Sequence, residues 1–385
     1  MGMESGGRLC MKAVLLALAL LTLISLLAIG YLCPQSVCSA GKLGLVGRGS
    51  RDSMGGPLSF LSQPLRSDRR NKLSFDDMLG DDFEFDMKGS DVMVFLHIQK
   101  TGGTVFGRHL VHDLDLEKPC ECQRGRKRCR CNRPNSSGKW WLFSRYSTGW
   151  KCGLHADWTE LTACVDSAMD RTEKTTAKRR YFYVTLLREP VARFLSEFRH
   201  VQRGATWRGS RHWCGGRGPT REELPPCFNG TDWRDVTFQE FIGCPWNLAA
   251  NRQTRMLADL SLVGCYNRTA VGAYERDLLM LTSAKDNLRR MAFFGLTERQ
   301  QRSQRLFERT FRLRFLRPFA QLNETRSTAA FGQVGPEELE AVKRLNHLDL
   351  QLYEYAKKLM DDRIRRLQAT QDPPPALTDE LPVPE

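Results

Sequence analysis

The chain has 385 residues, of which 41% are hydrophobic and 26% are charged, so a packed core is expected over much of its length and a wholly disordered chain is excluded. Its formal net charge is +14, from 58 lysine and arginine residues against 44 aspartate and glutamate residues. A surplus of this size predicts a polyanionic partner: nucleic acid, anionic lipid or a sulfated glycan.

The N-terminal segment predicts a transmembrane signal-anchor helix. Residues 13–32 carry no charge, and at about 1.5 Å per helical residue they span roughly 30 Å, the thickness of one hydrocarbon core. Arg8 and Lys12 precede the run, so residues 1–12 are predicted to be a cytosolic tail. A cleaved secretory signal is the alternative, although the apolar run is longer than usual for one. Both interpretations place residues 41–385 in the secretory lumen, which excludes nuclear nucleic acid as the partner.

Composition divides the lumenal part into three regions. Residues 33–84 are predicted to form a stem, because much of this segment is rich in Gly, Ser and Arg and has little periodicity. Residues 85–368 are predicted to form a single folded domain. Residues 369–385 are rich in proline and acidic residues, and they are predicted to be a disordered tail.

Asparagine and cysteine residues agree with a lumenal location. Ten cysteines lie beyond the anchor region, an even number as disulfides require. Cys120 and Cys122, like Cys129 and Cys131, are separated by one residue and no His pair follows, so a disulfide-braced loop is favoured over a zinc site. Four predicted glycosylation sequons follow the anchor: Asn135, Asn229, Asn267 and Asn323.

The central region predicts an α/β fold. Residues 91–97, 181–187 and 291–296 are apolar runs typical of buried strands, and each is followed by apolar residues at helical spacing. Strands that alternate with helices predict a parallel sheet that binds its ligands at the carboxyl ends of the strands. Residues 336–368 have apolar residues three or four apart, which predicts one amphipathic helix packed on the domain.

The turn after the first predicted strand has the features of an oxyanion site. Gly102 and Gly103 lead into a helix, whose first N–H groups and dipole favour an anion. Lys100 adds a full charge, and Thr101 and Thr104 add hydroxyl groups. The motif GxxxxGK[ST] is absent, so this is not the loop of the nucleotide triphosphatases. A plain tight turn is the alternative.

The second predicted strand ends in a similar way. Arg188 follows the strand directly, and Ser196 lies about two helical turns later. A guanidinium and a hydroxyl group so placed can bind a second phosphate. The alternative is that Arg188 pairs with Glu189 or Glu197 and that Ser196 is merely exposed.

These segments resemble the Golgi carbohydrate sulfotransferases and, within that group, the heparan-sulfate 6-O-sulfotransferases. Residues 91–111 (DVMVFLHIQKTGGTVFGRHLV) are similar to the family's 5′-phosphosulfate loop. Residues 186–207 (LLREPVARFLSEFRHVQRGATW) are similar to its 3′-phosphate-binding segment. The resemblance covers roughly residues 84–360, and three further stretches carry it: FSRYSTGWKCGLHADWTEL, NRQTRMLADLSLVGCYN and MAFFGLTERQ.

The resemblance implies a single α/β sulfotransferase domain with a P-loop-like parallel sheet. It also implies the sulfate donor 3′-phosphoadenylyl sulfate and no metal. The implied 5′-phosphosulfate contacts are His97, Ile98, Gln99, Lys100, Thr101, Gly102, Gly103, Thr104 and Val105. The implied 3′-phosphate contacts are Arg188 and Ser196, and the implied loop over the nucleotide contributes Ala320, Gln321, Leu322, Thr325 and Arg326.

Two residues are predicted to be catalytic. His155 matches the family's catalytic base, and an imidazole with a pKa near 6.5 can accept a hydroxyl proton around neutral pH. Lys100 would stabilise charge on the departing phosphate oxygen. Asp157 or Glu160 could orient the His155 ring.

Six residues resemble the family's glycan-contacting positions: Lys127, Arg128, Arg145, Trp150, His200 and Trp207. Cations meet sulfates and carboxylates, and indoles pack against the C–H faces of sugars. For each residue alone, a core Trp or a solvated Lys is the alternative. The sequence departs from the family twice, with Val105 where Thr is common and Arg128 where a second Lys is frequent.

The predicted function is transfer of a sulfuryl group to the 6-hydroxyl of glucosamine in heparan sulfate. The predicted location is the Golgi membrane, as a single-pass type II glycoprotein with a lumenal catalytic domain. Three alternatives stay open: sulfation at another sugar position, a non-catalytic heparan-binding protein, and a magnesium-dependent phosphotransferase.

Overall fold

The computed structural model describes residues 72–80, 83–230, 232–320 and 334–371. Within these ranges no helix combines the length and the apolar character that crossing a membrane requires. The predicted anchor, residues 13–32, lies outside the described residues, as do most of the predicted stem and tail.

The described part of the chain contains the following strands: β1 (Asp91–Leu96), β2 (Glu121–Cys122), β3 (Cys129–Arg130), β4 (Asn132–Arg133), β5 (Ser136–Trp140), β6 (Leu142–Phe143), β7 (Arg180–Leu187) and β8 (Phe293–Leu296). Its α-helices are α1 (Gly103–His112), α2 (Trp158–Glu173), α3 (Pro190–Val201), α4 (Phe238–Gly243), α5 (Arg252–Leu257), α6 (Ala273–Arg290), α7 (Gln300–Phe311), α8 (Pro336–Leu345) and α9 (His347–Gln371).

A four-stranded sheet in the order β6–β1–β7–β8 forms the centre of the domain, and all its neighbouring strands are parallel. Leu96 of β1 pairs with Thr185 of β7, and Leu187 of β7 pairs with Leu296 of β8. The strands are buried because helices cover the sheet. This register brings the carboxyl ends of the strands to one edge, and it confirms the predicted parallel α/β sheet.

Two apolar clusters hold the helices in place. In the larger cluster, aromatic rings of α1, α7 and β8 meet, with Phe307 5.2 Å from Phe293 and 5.9 Å from Phe106 between ring centroids. The smaller cluster joins α3, α4 and α8, and Phe241 packs against Phe194 at 5.1 Å. The second cluster fixes α3, the helix that follows the predicted 3′-phosphate residue.

The prediction of one helix over residues 336–368 is wrong, because α8 and α9 are separate helices that meet at Asn346. The Asn346 side chain is buried; its Nδ2 donates to the Val342 carbonyl and its Oδ1 accepts from the Asn251 N–H. Through these bonds the Asn346 side chain joins the end of α8 to Asn251, which is distant in sequence. The apolar spacing continues through the break, so periodicity could not reveal it.

Packing against the domain begins before residue 85, within the segment predicted as stem. The Leu73 N–H donates to the Tyr181 carbonyl at 3.0 Å, and Phe75 is buried. The guanidinium of Arg363 lies 4.4 Å from the centroid of the Phe75 ring. The folded part therefore includes the described residues 72–80.

All ten cysteines beyond the anchor region form disulfides: Cys120–Cys131, Cys122–Cys129, Cys152–Cys164, Cys214–Cys265 and Cys227–Cys244. The first two bridges confirm the predicted disulfide-braced loop. His112 lies near Cys122 and Cys129, but the two sulfurs are bonded to each other and are not thiolate ligands.

Asp349 of α9 fixes the start of α5. Its buried carboxylate accepts hydrogen bonds from the Gln253 N–H at 3.0 Å, the Thr254 N–H at 2.7 Å and the Thr254 hydroxyl at 2.8 Å. We expect Asp349→Ala to lower the free energy of unfolding by about 3 kcal/mol, because buried donors lose a charged acceptor. Urea unfolding checks this.

Asp362 of the same helix is the matched control, since its side chain is 45% exposed and binds Arg365 at the surface. Asp362→Ala should cost less than about 1 kcal/mol. Equal losses for the two variants would contradict the role of Asp349.

Candidate active site

Loops from the carboxyl ends of the sheet strands meet at one edge and form the site. Residues 97–102 follow β1, and residues 144–157 follow β6. Arg188 follows β7 and Thr297 follows β8. The parallel arrangement is what places segments so far apart in sequence beside one another.

The β1–α1 loop has the backbone of an anion site. Lys100 and Gly102 have positive φ angles of 68° and 80°, and α1 begins directly afterwards. Gly102, at the N-cap position, has no side chain with which to bind the first N–H groups of the helix. A Cβ on Gly103 would lie 2.4 Å from Cδ2 of His97, so only glycine fits beside that ring. Thr104 is exposed, whereas Thr101 is buried and its hydroxyl donates to the Ile98 carbonyl.

The loop is bonded to the neighbouring strand ends. Nη1 of Arg188 donates to the Lys100 carbonyl at 3.2 Å, so Arg188 lies beside the β1–α1 loop. The Thr297 hydroxyl lies 2.7 Å from the Thr101 carbonyl oxygen and 3.0 Å from that of Leu187. Sequence reasoning missed Thr297, although its position directly after β8 was a usable signal.

Gln253 is a second residue that sequence reasoning missed. Its Oε1 accepts from the Arg188 N–H and its Nε2 donates to the Arg188 carbonyl, both at 2.9 Å. Because Asp349 holds the Gln253 backbone, α9 supports Arg188 through α5. No local pattern in the sequence links these three residues.

A cavity of about 170 Å³ lies beside the loop and joins several residues predicted to bind the donor. Gly102, Val105, Arg188 and Ala320 line it. Ser196 is partly buried on α3 and does not line this cavity. Four predicted nucleotide contacts and one sequon asparagine lie outside the described residues: Gln321, Leu322, Thr325, Arg326 and Asn323.

His155 lies at the same edge, in the loop after β6. Its φ angle is 51°, and its Nδ1 lies 2.8 Å from the His97 carbonyl oxygen. A carbonyl oxygen only accepts, so Nδ1 carries the proton and Nε2 of the neutral ring has the free lone pair. The residue predicted as base is therefore oriented by the backbone of the β1–α1 loop.

The prediction that Asp157 or Glu160 orients His155 is wrong. Asp157 is the N-cap of α2: its carboxylate accepts from the Glu160 N–H, and the Glu160 carboxylate accepts from the Asp157 N–H, both at 3.0 Å. The other Glu160 oxygen accepts from the Trp213 N–H. The first turn of α2 therefore uses both carboxylates.

Aromatic rings surround His155. Its ring centroid lies 4.7 Å from those of His97 and Trp150, and 5.4 Å from that of Trp207. His200 lies 5.2 Å from Trp207. The structure thus brings three residues predicted to contact the glycan together around the predicted base.

The predicted basic contacts differ in position. The Arg145 guanidinium lies 5.6 Å from the Trp150 ring centroid. Arg128 packs on Gly149, where an added Cβ would lie 3.2 Å from Cδ of Arg128. Lys127 is exposed in the same disulfide-braced loop, between β2 and β3. Arg145 and Arg128 therefore adjoin the Trp150 side of the site.

A buried ion cluster lies behind the aromatic rings. Glu197 of α3 binds Arg193 and Arg252, and all three side chains are buried. The Arg252 guanidinium lies 6.0 Å from the Trp207 ring centroid. Neither Glu197 nor Arg252 was predicted to support the site. Their contact with each other depends on burial, which the sequence alone does not show. A buried carboxylate between two guanidiniums fixes their positions.

The titratable groups of the site have shifted pKa values. Burial, together with Arg252 and Arg145, lowers the pKa of His155 to about 3, against the opposing effect of the hydrogen bond that Nδ1 donates to the His97 carbonyl. Burial and then Arg203 lower the pKa of Lys100 to about 8. In the absence of ligand at neutral pH, the His155 imidazole is therefore neutral and Lys100 is largely charged.

Comparison with known proteins agrees with this arrangement. The profile of the sulfotransferase family matches residues 83–356. The chain belongs to the sulfotransferase family. The match spans the whole sheet and every described loop of the site.

Several curated relatives are similar over most of the chain. Heparan-sulfate 6-O-sulfotransferase 1 of Homo sapiens is 60% identical over 281 residues, 72% of this chain and 68% of the relative. Heparan-sulfate 6-O-sulfotransferase 2 of Gallus gallus is 49% identical over 358 residues, 92% of this chain and 87% of the relative. Heparan-sulfate 6-O-sulfotransferase 3-B of Danio rerio is 57% identical over 282 residues, 73% of this chain and 67% of the relative.

The ring of His155 provides a test of the site geometry. We expect its imidazole to stay neutral and protonated on Nδ1 as the pH falls from 7.5 to about 5, because burial lowers its pKa to about 3. Nitrogen NMR of histidine-labelled protein measures tautomer and charge together, and His155→Asn identifies the signal. A midpoint near 6.5, or a proton on Nε2, would contradict the geometry.

Proposed function

We propose that this chain transfers a sulfuryl group from 3′-phosphoadenylyl sulfate to the 6-hydroxyl of glucosamine in heparan sulfate. The observation that carries the proposal is the position of His155, a neutral base held against the phosphate loop by the His97 carbonyl. Relatives named heparan-sulfate 6-O-sulfotransferase support the substrate and the sugar position.

The loop after β1 and the end of β7 would bind the donor, which supplies the sulfuryl group. The first N–H groups of α1 and the Lys100 ammonium would hold the 5′-phosphosulfate, as in other anion sites at helix N-termini. Arg188 and Ser196 would hold the 3′-phosphate. The cavity beside Val105 and Ala320 would take part of the nucleoside.

The chemistry then follows from the positions of two residues. Nε2 of His155 takes the proton from the 6-hydroxyl as its oxygen attacks sulfur, while the bond between sulfur and the phosphate oxygen breaks. Lys100 and the loop N–H groups stabilise the charge on that oxygen. Anionic donor and acceptor raise the pKa of His155 when they bind, because they favour the imidazolium. The base is thus neutral before the reaction and able to hold a proton during it.

The acceptor would lie along the aromatic side of the site. Trp150 and Trp207 flank His155 and would pack against sugar rings. Arg145 and Arg128, with Lys127 nearby in sequence, would bind carboxylates and sulfates. His200 adjoins Trp207 and completes the predicted set.

The location proposed for this activity is the Golgi lumen, with residues 13–32 as a type II membrane anchor. Five disulfides in the described residues suit an oxidising compartment. The sequon residues Asn135 and Asn229 are exposed, and Asn267 is partly exposed. We propose these asparagines, with Asn323, as glycosylation sites.

His155→Ala tests the base. With the full chain, labelled donor and heparan sulfate, we expect kcat to fall by about 10²–10⁴-fold, the contribution typical of a general base. The donor Kd, measured by calorimetry, should change less than about twofold, because the ring acts on the acceptor proton. His347→Ala is the control, since His347 is exposed on α9.

Disaccharide mapping of the wild-type product completes this experiment. Sulfate on the glucosamine 6-oxygen is the expected result. Sulfate at another position would overturn the acceptor assignment, and a nearly unchanged kcat in His155→Ala would overturn the base.

The charge of Lys100 predicts a pH dependence. Its pKa is lowered to about 8, so the ammonium is present below that pH and is lost above it. We therefore expect kcat/KM for the donor, which reports the free enzyme, to fall as the pH rises through about 8. Lys100→Arg should remove this fall, because a guanidinium keeps its charge. Parallel profiles for the two proteins would show that Lys100 does not set donor binding.

A further inference from the structure

A second cavity lies beside Trp207 and is not used by the proposed reaction. Its volume is about 290 Å³, and we call it the Trp233 cavity. Three indole rings, those of Trp207, Trp233 and Trp246, line it together with Phe228 and the buried Arg252. Aromatic rings concentrated at a partly open cavity are typical of a ligand-binding site.

The walls of the Trp233 cavity are fixed. In the described part of the segment between α3 and α5, the short helix α4 is the only α-helix, and a disulfide between Cys227 and Cys244 braces the segment. Cys227 itself lines the cavity. Phe228 packs 5.1 Å from Trp233 and 6.2 Å from Phe241 of the smaller apolar cluster. Because this wall is cross-linked and packed, its aromatic side chains lose little conformational entropy when a ligand binds.

The chemistry of the lining suits a sugar that carries anionic groups. Indole faces offer broad apolar surfaces for the C–H faces of a pyranose. The Arg268 guanidinium lies 4.0 Å from the centroid of the Trp246 ring, and a cation so placed can bind a sulfate or carboxylate. A sugar ring that carries a sulfate or carboxylate is therefore chemically complementary to the indole faces and to the nearby guanidinium.

The cavity shares Trp207 with the candidate active site. The Trp207 ring contacts His155 and also lines the Trp233 cavity. Arg252 is likewise shared, since it lies over Trp207 and lines the cavity. A polymeric acceptor that reaches His155 past Trp207 thus has a second binding surface directly beside it.

We propose that the Trp233 cavity is an extended acceptor subsite, which binds saccharide units of the heparan chain next to the glucosamine that reacts. This inference rests on the proposed function and deepens it, because it makes activity depend on acceptor length. Trp233 and Trp246 are then specificity-determining residues that act away from the reacting atoms.

Acceptor length provides the test. With the full chain, kcat/KM is measured for heparan oligosaccharides from a trisaccharide upward. Wild type should gain activity with length. Trp233→Ala and Trp246→Ala should lower kcat/KM for long acceptors about tenfold, the loss expected for an aromatic packing partner. The same variants should leave the shortest acceptor and the donor KM unchanged.

Trp213→Ala is the matched control. Trp213 is 51% exposed, belongs to the same segment and does not line the cavity. Arg268→Ala is a second test that keeps all three indole rings, and Arg268 is exposed. This substitution should weaken the binding of long sulfated acceptors and reduce the salt dependence of that binding, as the loss of one ionic contact does.

Each outcome decides the inference. The same dependence on length in wild type, Trp246→Ala and Arg268→Ala would overturn the subsite. Equal losses for short and long acceptors would also overturn it, because they would show a general structural role. If wild type transfers no sulfate to any acceptor, the proposed function fails instead. Oligosaccharide calorimetry then tests the cavity by itself, and equal affinities of wild type and Trp246→Ala would reject it.

Discussion

The hydrogen bond from Nδ1 of His155 to the His97 carbonyl joins the two halves of the proposed chemistry. His97 opens the loop that would bind the donor, and His155 would take the proton of the acceptor. Because one backbone carbonyl fixes the His155 ring, the proposed base keeps a fixed position relative to the loop that would bind the donor. The bond forms only because β6 and β1 are parallel neighbours, so that their loops leave the sheet at the same edge.

Buried polar groups, rather than apolar contacts alone, hold the remaining site residues. Asp349 binds the Gln253 backbone, and the Gln253 side chain binds both backbone groups of Arg188. Glu197 holds Arg252 behind Trp207. Removing one member of such a group leaves buried donors or charges without partners, which makes each position sensitive to substitution. The site is thus rigid before its ligands bind.

Sequence patterns predicted the parts of the fold that are periodic. The strands of residues 91–97 and 181–187 and the glycine loop were evident from apolar runs and turn residues, and the resemblance supplied the role of His155. Local reasoning failed where one residue serves a distant segment. Asn346 interrupts a continuous apolar pattern to bind Asn251, and the Gln253 side chain binds the backbone of Arg188. Such contacts depend on the packed chain, and no spacing encodes them. Asp157 is a different case, because the Asp-x-x-Glu spacing of a capping box was present in the sequence and was missed.

A crystal structure of the chain with 3′-phosphoadenosine 5′-phosphate and a heparan oligosaccharide tests the central claim most directly. The distance to measure is that between Nε2 of His155 and the 6-oxygen of the bound glucosamine. The proposed mechanism predicts about 2.6–3.2 Å, with Nδ1 still bonded to the His97 carbonyl and the product phosphate at the first turn of α1. A glucosamine 6-oxygen bound instead by a carboxylate, with His155 turned away, would contradict it.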